Sequence, residues 1–288
     1  MQKFTFYILK IVVTVVTLLF VLDAFYTFIH VKKGEPRNKV QYLQTIKNKQ
    51  FDYIFLGSSR VLNGVDETVF SDKKVLNLGM LGQTLNETKL MLDILNEYNI
   101  NANTICIQID GDSGVQKEST LSTYAFVPLL DIDKVKTHFK NNNYDETLIN
   151  IPFARYMNYG HKFGLRELCI KILKKQSALS FGFSPLQKND KITIQPYIFK
   201  EENIPSKEQL QTLIETGNTY NMKIRFFTAP YYQAKNSKLF DKIKNEFNIL
   251  YYGNMFTDKN YFYDPIHLNS EGSNKFTKTL IQELDANN

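Results

Sequence analysis

The sequence predicts an α/β domain with a parallel sheet, preceded by one membrane-spanning helix. Three observations predict this class: a long apolar stretch opens the chain, short apolar runs recur after it, and amphipathic segments separate those runs. Strands that alternate with helices favour a parallel sheet covered on both faces. With 288 residues, 43% of them apolar and 22% charged, the chain can form one membrane segment and one packed soluble domain.

The first element is the apolar stretch over residues 4–29, in which Lys10 and Asp23 are the only charged residues. At about 1.5 Å per residue, a helix of this length can cross a bilayer. Lys10 and Asp23 lie toward its two ends, from which their side chains can reach the headgroups. No small-x-small cleavage site follows before the next basic residues. We therefore expect a permanent anchor over residues 1–31 that contacts membrane lipid, rather than a cleaved signal peptide.

The orientation of this anchor depends on two opposing considerations. Lys32, Lys33, Arg37 and Lys39 follow the span, and positive charge favours the cytoplasm. Large domains are nevertheless translocated largely regardless of charge, and the chemistry inferred below fits substrates outside the cell. We therefore expect a single-pass protein with an extracytoplasmic domain. The four basic residues either simply flank the membrane segment or contact acidic headgroups or an anionic cell-wall polymer.

The soluble part begins with a polar linker or short helix over residues 32–50 and continues as one domain over residues 51–288. Its apolar runs predict strands at Tyr53–Leu56, Val75–Leu78, Thr104–Ile109, Lys223–Phe227 and Asn248–Tyr251. Its amphipathic segments predict helices at Thr84–Tyr98, Ser206–Thr219, Lys235–Phe247 and Ser270–Leu284. Residues 113–197 break the alternation, so we expect a helical insertion over the strand ends that selects the substrate.

Charge and cysteine usage narrow the range of partners. The net charge is +6, but Lys residues are interspersed with Glu and Asp along the predicted helices, which indicates a solvated surface and no nucleic-acid partner. Cys106 and Cys169 lie in the apolar segments ICIQID and ELCIKIL. We expect two buried thiols rather than a disulfide or a metal-binding pair.

The first chemical motif is the turn Gly57-Ser58-Ser59-Arg60, which follows the first predicted strand. A serine at the end of a strand and the start of a helix exposes its hydroxyl, and the backbone N–H groups there attract negative charge. By itself this motif is equally typical of ordinary turn chemistry.

The second motif is the loop Tyr263–Asn269, which contains Asp264 and His267 around a proline. In such a loop the carboxylate can bind the imidazole Nδ1–H and leave Nε2 free to take a proton from a serine. The alternative role for Asp264 is a turn residue or helix cap. Ser270 and the asparagine before it lie closer to the last helix and can cap it themselves.

Together the two motifs resemble the SGNH (GDSL-like) hydrolase family, whose chains begin with a nucleophilic serine after the first strand and end with an Asp-x-x-His loop before the last helix. The resemblance covers nearly the whole soluble part and implies a flavodoxin-like, three-layer α/β sandwich. Matched position by position, it implies that Ser59 is the nucleophile, His267 the base and Asp264 its charge partner. No metal or cofactor is implied.

Two further segments correspond to the family's oxyanion hole. Gly82, after the second predicted strand, matches the family glycine whose N–H helps to bind the oxyanion together with the N–H of Ser59. Where the family has an asparagine, this chain has Asp112. An ionised carboxylate cannot donate a hydrogen bond and would oppose the developing negative charge. Asp112 is therefore expected to weaken the oxyanion hole, or to pair with Arg60.

A membrane anchor joined to this type of domain resembles the subgroup that includes the teichoic acid D-alanine transfer protein and polysaccharide O-acetylation enzymes. The resemblance implies an acyl ester or a cell-surface glycan as substrate, and a membrane-bound acyl-transfer protein as a partner. Two alternatives remain open: an esterase for lipids or small esters, and a catalytically silent, membrane-tethered module that binds polysaccharide or a synthase during export.

Overall fold

The computed structural model describes residues 2–32, 36, 38–115, 120–142, 144, 146–158, 163–173, 182–188 and 193–286. The strands are β1 (Gln50–Leu56), β2 (Val75–Asn77), β3 (Asn101–Gln108), β4 (Ile224–Thr228) and β5 (Leu250–Tyr251). The helices are α1 (Gln2–Thr27), α2 (Lys39–Leu43), α3 (Ser59–Gly64), α4 (Leu85–Glu97), α5 (Thr120–Phe126), α6 (Asp133–Asn141), α7 (Glu146–Asn150), α8 (Ala154–Asn158), α9 (Leu165–Leu173), α10 (Lys207–Thr219), α11 (Lys238–Glu246) and α12 (Ser270–Ala286).

The strands form one parallel sheet in the order β2-β1-β3-β4-β5, which confirms the predicted α/β class. After β2 the chain crosses back over β1, so the strand order reverses between β1 and β3. In an open parallel sheet, the crevice at the carboxyl ends of two such strands is the usual ligand site. β1 leads directly into the serine turn, and the histidine loop follows the end of β5. Both predicted chemical motifs can therefore meet at this edge.

The core of the sheet is built from the apolar runs that predicted the strands. Tyr53 and Phe55 of β1 pack in one buried cluster with Phe227 of β4. Phe276 and Leu280 of α12 lie one turn apart and complete the cluster from the helix side. This packing explains why the last helix, which follows the histidine loop, is held firmly beside β1.

Helices α4 and α10 each begin with a capping box. Thr84 caps α4 and Glu87 bonds back to it, and Ser206 and Gln209 form the same capping box on α10. A Ser or Thr followed three residues later by Glu or Gln satisfies two of the free N–H groups of a helix start. The predicted beginnings at Thr84 and Ser206 therefore agree with the structure to within one residue.

The chain divides into two compact units. One unit comprises Met1–Gln44 and Tyr124–Leu179, and the other comprises Thr45–Thr123 and Ser180–Asn288. The first contains the apolar helix and most of the region expected to be an insertion. The second contains the sheet and every residue of the predicted site.

The apolar helix of the first unit is long enough to cross a membrane, with a mean hydropathy of 2.4 over its most apolar window. Length and composition alone would also fit a signal sequence. Asp23, which was expected to reach toward the headgroups, also has a protein partner, because it forms an ion pair with Arg155. Two charges that pair inside a folded unit avoid the cost of lying alone beside hydrocarbon.

Two expectations about surface groups also change in the first unit. Cys169 is exposed on α9, whereas Cys106 is buried as predicted, because β3 is a central strand and Cys169 lies on an outer helix face. Lys39 is buried, so it does not belong to a basic patch that faces lipid or polymer. Lys33 and Arg37 lie outside the described residues.

Candidate active site

The serine turn has a backbone that requires glycine. Gly57 has φ +151°, and a Cβ atom there would lie 2.6 to 2.7 Å from atoms of Gln108 and Val61. The chain can therefore turn sharply out of β1 only with a glycine at this position. Ser58 caps α3 by accepting a hydrogen bond from the N–H of Arg60, which leaves Ser59 as the first helical residue.

The histidine loop is fixed by its own carboxylate. One oxygen of Asp264 accepts hydrogen bonds from the backbone N–H groups of Ile266, at 2.9 Å, and of His267, at 2.8 Å. The N–H of Tyr263 donates to the carbonyl of His267 at 2.9 Å. These short-range bonds hold the imidazole and the carboxylate in one rigid turn.

The structure joins the two motifs across 208 positions of sequence. Ser59 Oγ lies 2.7 Å from His267 Nε2, and His267 Nδ1 lies 2.7 Å from the second oxygen of Asp264. If Nδ1 carries its hydrogen toward the carboxylate, Nε2 has a free lone pair for the hydroxyl proton of Ser59. This is the hydrogen-bond chain that nucleophilic serine chemistry requires. The catalytic roles of the three residues are still predictions.

The charge of Asp264 is stabilised by its partners. Its partial burial opposes ionisation, but the hydrogen bonds and charge of His267 and the two loop N–H groups outweigh that effect, so the pKa of Asp264 lies below its usual value. Asp264 is therefore a carboxylate at neutral pH. A permanent negative charge at Nδ1 favours the imidazolium that forms when the base takes a proton.

Arg60 is a buried residue, and the alternative in which it pairs with Asp112 is wrong. Its guanidinium instead forms an ion pair with Asp110, and both side chains are 3% exposed. Asp110 ends the buried strand region next to β4, which brings it to Arg60, while Asp112 lies two residues further along on the surface. The cation of Arg60 also lies 3.8 Å from the ring centre of Tyr231.

The remaining donors of Arg60 connect three segments of the site. Nη2 donates to the carbonyl oxygens of Ala229 and Pro230, each at 2.6 Å, and Nε donates to the carbonyl of Ile266 at 2.8 Å. Arg60 thus ties the start of α3 to the end of β4 and to the histidine loop. Burial opposes the charge, but the field of Asp110 raises the pKa of Arg60 above its usual value, so the cation persists.

Asp110 and Gln108 extend this buried polar network toward Ser58. Burial raises the pKa of Asp110 to about 6, and the charge of Arg60 opposes this rise. Gln108 donates to Asp110 from its amide nitrogen. Its amide oxygen accepts from both the N–H and the hydroxyl of Ser58, at 3.1 and 3.2 Å. The residue before Ser59 is therefore fixed to β3.

Sequence reasoning missed Gln108, Asp110 and a third buried residue, Asn77. The Asn77 amide donates to the carbonyls of Val61 and Val65, at 2.9 and 2.7 Å, and accepts from the N–H of Gly79 at 3.0 Å. It therefore holds the loop after β2 against α3. A polar side chain at the end of an otherwise apolar strand was the available signal, because such a group must find partners when buried.

A pocket of about 240 Å³ opens beside the serine. Gly82, with φ +68°, lies on its wall, and Asp112 lines it as an exposed residue. All the residues predicted for the oxyanion hole thus border one pocket. Its remaining lining is mostly small and polar: Gly57, Ser58, Arg60, Gln83, Thr84, Leu85, Thr88, Gln108, Asp110, Ser113, Val115 and Ile266.

No metal-binding site is evident among the described residues. No group of three or more His, Cys, Asp or Glu side chains among those residues is arranged to hold a metal ion. Asp110 and Asp112 are close in sequence, but Asp110 already binds Arg60.

No protein-family model matches the chain, and no match to a curated protein was found. Solved structures include a distant neighbour from Streptococcus pneumonia that is provisionally described as a platelet activating factor. It is 14% identical, covers 96% of this chain and 98% of its own, and has a TM-score of 0.30. Similarity at this level carries no argument about activity, so the functional case depends on the geometry of Ser59, His267 and Asp264.

Proposed function

We propose that this protein is a membrane-anchored serine esterase or acyltransferase of the SGNH type. The observation that carries the proposal is the hydrogen-bond chain from Ser59 Oγ to His267 Nε2 and from His267 Nδ1 to Asp264, with 2.7 Å at each step. In this proposal Ser59 is the nucleophile, His267 the general base and Asp264 the residue that orients and charges the imidazole.

The reaction follows from these positions. His267 Nε2 accepts the hydroxyl proton as Ser59 Oγ attacks the carbonyl carbon of an ester. The tetrahedral intermediate collapses, the leaving alcohol takes the proton from His267, and the acyl group stays on Ser59. Water or a sugar hydroxyl then gives its proton to His267 and attacks the acyl-enzyme. When this second tetrahedral intermediate collapses, the bond to Ser59 Oγ breaks and His267 returns the proton to Ser59. Water as acceptor gives hydrolysis, and a sugar hydroxyl gives acyl transfer.

The oxyanion of the intermediate needs donors in the pocket. The N–H of Ser59 at the start of α3 and the N–H of Gly82 are the proposed donors, supported by the presence of both residues in the lining of the same pocket. Asp112 contributes no donor from its carboxylate. Loss of one donor of this kind typically slows a reaction by ~10²–10³, which is compatible with a working enzyme.

The proposed substrate is an acyl ester of a cell-surface polysaccharide or envelope glycan. The mostly polar lining of the pocket supports a small acyl group on a hydrophilic carrier. The apolar helix supports an anchored enzyme, and a surface glycan as substrate requires an extracytoplasmic domain. A C-terminal alkaline phosphatase fusion tests the orientation: we expect activity in intact cells, and an inactive fusion would place the domain in the cytoplasm.

Covalent labelling with a fluorophosphonate probe tests the chemistry. We expect the wild-type protein to be labelled and Ser59→Ala to be unlabelled. Ser71→Ala removes an exposed hydroxyl in a turn outside the pocket and should be labelled like the wild type. Ser58→Ala loses the α3 cap, which typically costs ~1 kcal/mol, but should still be labelled.

The same experiment separates the enzyme from a silent binding module. The exposed Asp112 in the pocket is the feature that favours the silent module, because its charge repels an oxyanion. Absence of labelling in a folded wild-type protein would support that alternative. Acyl-ester content of surface glycans, compared between cells with wild-type protein and with Ser59→Ala, then tests the substrate class.

A further inference from the structure

The end of the apolar helix is built into a folded unit. Arg155 binds the Asp23 carboxylate through Nε, at 2.9 Å, and through Nη2, and the N–H of Phe153 donates to the same carboxylate at 3.0 Å. Thr27, one turn further along α1, bonds to the hydroxyl of Tyr156 at 2.7 Å. The last two turns of α1 are therefore anchored to α8 and to the residue just before it.

This attachment point has a definite depth if the helix spans a bilayer. From Phe4 to Leu22 the helix is about 28 Å long, which is close to the ~30 Å thickness of a hydrocarbon core. The charged pair of Asp23 and Arg155 is then located where the helix leaves the hydrocarbon. Charged side chains are stable at this depth because headgroups and water are within reach.

Helix α9 packs on the direct continuation of the span. It contacts the π-helical segment Phe28–Lys32. The ring of Phe163, just before α9, meets His30 edge-on with ring centres 5.0 Å apart, and lies 5.2 Å from the ring of Tyr156. Leu168 is buried, so one face of α9 belongs to this unit. Helix α9 is therefore held against the segment that follows the span, about 9 to 15 Å beyond Leu22 along the helix axis.

The outer face of the same helix is apolar. Leu165 is 71% exposed and Leu173 is 79% exposed, and Cys169 between them is also exposed. Residues four apart in a helix lie on one face, so the three form a continuous stripe. Arg166 beside the stripe has a side chain that is 85% exposed, and it forms an ion pair with Glu167 at 3.3 Å. An exposed apolar stripe edged by a cation is typical of helices that lie in a membrane interface.

We propose that α9 lies in the bilayer interface beside the span, with Leu165, Cys169 and Leu173 at the edge of the hydrocarbon and Arg166 at the phosphates of the lipid headgroups. The inference depends on the proposed membrane anchoring, and it adds a second lipid contact that is separate from the span. Continuity with the end of α1 favours lipid over a protein partner. Two contacts restrict the tilt of this unit relative to the membrane plane, which a single helical tether leaves free.

The chain contains no Trp, so single-Trp variants of the full-length protein give a clean test. The variants are reconstituted in phosphatidylcholine liposomes with and without brominated acyl chains, which quench only a Trp at hydrocarbon depth. Val13→Trp reports on the span, Leu173→Trp on the stripe, and Glu167→Trp on a different face of α9. We expect Val13→Trp and Leu173→Trp each to lose about half of their emission, and Glu167→Trp to lose clearly less.

Each other outcome overturns the proposal in a distinguishable way. If Val13→Trp is not quenched, the anchoring itself fails. If Val13→Trp is quenched while Leu173→Trp is unquenched and emits as in water, α9 does not touch lipid. If Leu173→Trp is blue-shifted but unquenched, protein covers the stripe instead. Fluorophosphonate labelling of Ser59 in the same liposomes reports on the proposed reaction independently of these results.

Discussion

Arg60 Nε donates a hydrogen bond to the carbonyl of Ile266 at 2.8 Å. In the sequence these residues adjoin Ser59 and His267, so one buried side chain joins the two halves of the proposed catalytic site. Arg60 is fixed in turn by its ion pair with Asp110. Its hydrogen bonds go to Asp110 and to backbone carbonyls, not to Ser59 or His267 side chains, and we therefore regard it as a positioning residue.

Arg60→Lys should slow the reaction more than it weakens substrate binding. Lysine keeps the positive charge but lacks the planar fork that reaches Asp110, Ile266 and β4 at once. A small misplacement of the nucleophile can cost up to ~10² in rate, so we expect kcat to fall by about 10- to 100-fold with KM nearly unchanged. Hydrolysis of a p-nitrophenyl ester measures both constants.

The control for Arg60→Lys is Arg225→Lys, which changes a partly exposed arginine on β4. Circular dichroism and the second-order rate of fluorophosphonate labelling accompany each variant. A folded Arg60→Lys protein with wild-type kcat, or with only a raised KM, would contradict the positioning role. A purely structural role would lower the amount of folded protein without changing the rate per labelled site.

Asp264→Asn should nearly abolish turnover while leaving Ser59 in place. The amide nitrogen can donate to Nδ1, which favours the tautomer whose Nε2 carries the hydrogen and cannot act as a base. An equivalent change in a serine protease lowers kcat by about 10⁴, and we expect a loss of at least ~10³ here. Ester hydrolysis measures this directly, and a loss of less than about tenfold would exclude the proposed role of Asp264.

The stability contributed by Asp264 should depend on pH in a defined direction. Its pKa is lowered in the folded protein, whereas an unfolded Asp titrates near ~3.9. Its contribution is therefore complete above about pH 4 to 5 and is lost as the pH falls through the folded pKa. The difference in unfolding temperature between wild type and Asp264→Asn, followed by tyrosine fluorescence, should shrink at acid pH. A difference that grows on acidification would contradict this.

Periodicity was enough to predict the sheet, whereas the meeting of the two motifs was implied by the resemblance to the SGNH family. Short apolar runs identify buried parallel strands, and a parallel sheet brings the end of β1 and the loop before α12 to the same edge. The capping residues Thr84 and Ser206 also set two helix starts. These features are encoded locally, or follow from rules of chain connection, so a single sequence reveals them.

The buried polar network was not predictable in the same way. Arg60 can pair only with the carboxylate that lies beside it when the chain leaves β3. Asp110 and Asp112 are two positions apart, so the choice between them depends on where the chain turns after β3. Likewise, the partner of Asp23 lies in α8, in the most irregular part of the sequence. Contacts of this kind depend on packing between distant segments, and local pattern carries no information about them.

Gly82→Ala tests the second oxyanion donor. Gly82 has φ +68°, a left-handed conformation that costs other residues ~1–2 kcal/mol, so an added Cβ should shift its N–H away from the pocket. We expect kcat to fall by up to ~10². The matched control is Gly64→Ala in α3, where a Cβ would meet no atom within 4 Å. Equal activities of the two variants would argue against a donor at Gly82.

Asp112→Asn tests whether the carboxylate in the pocket hinders the reaction. The amide removes a negative charge that opposes the oxyanion and supplies a donor in its place, so we expect turnover to stay the same or to rise by up to about tenfold. Asp112 is not a member of the ion pair of Arg60 and Asp110, so the fold should be unaffected. Asp72→Asn, an exposed change outside the pocket, controls for the loss of one surface charge. If turnover of a folded Asp112→Asn protein collapses while Asp72→Asn is normal, the carboxylate has a positive role, such as holding a cationic part of the substrate.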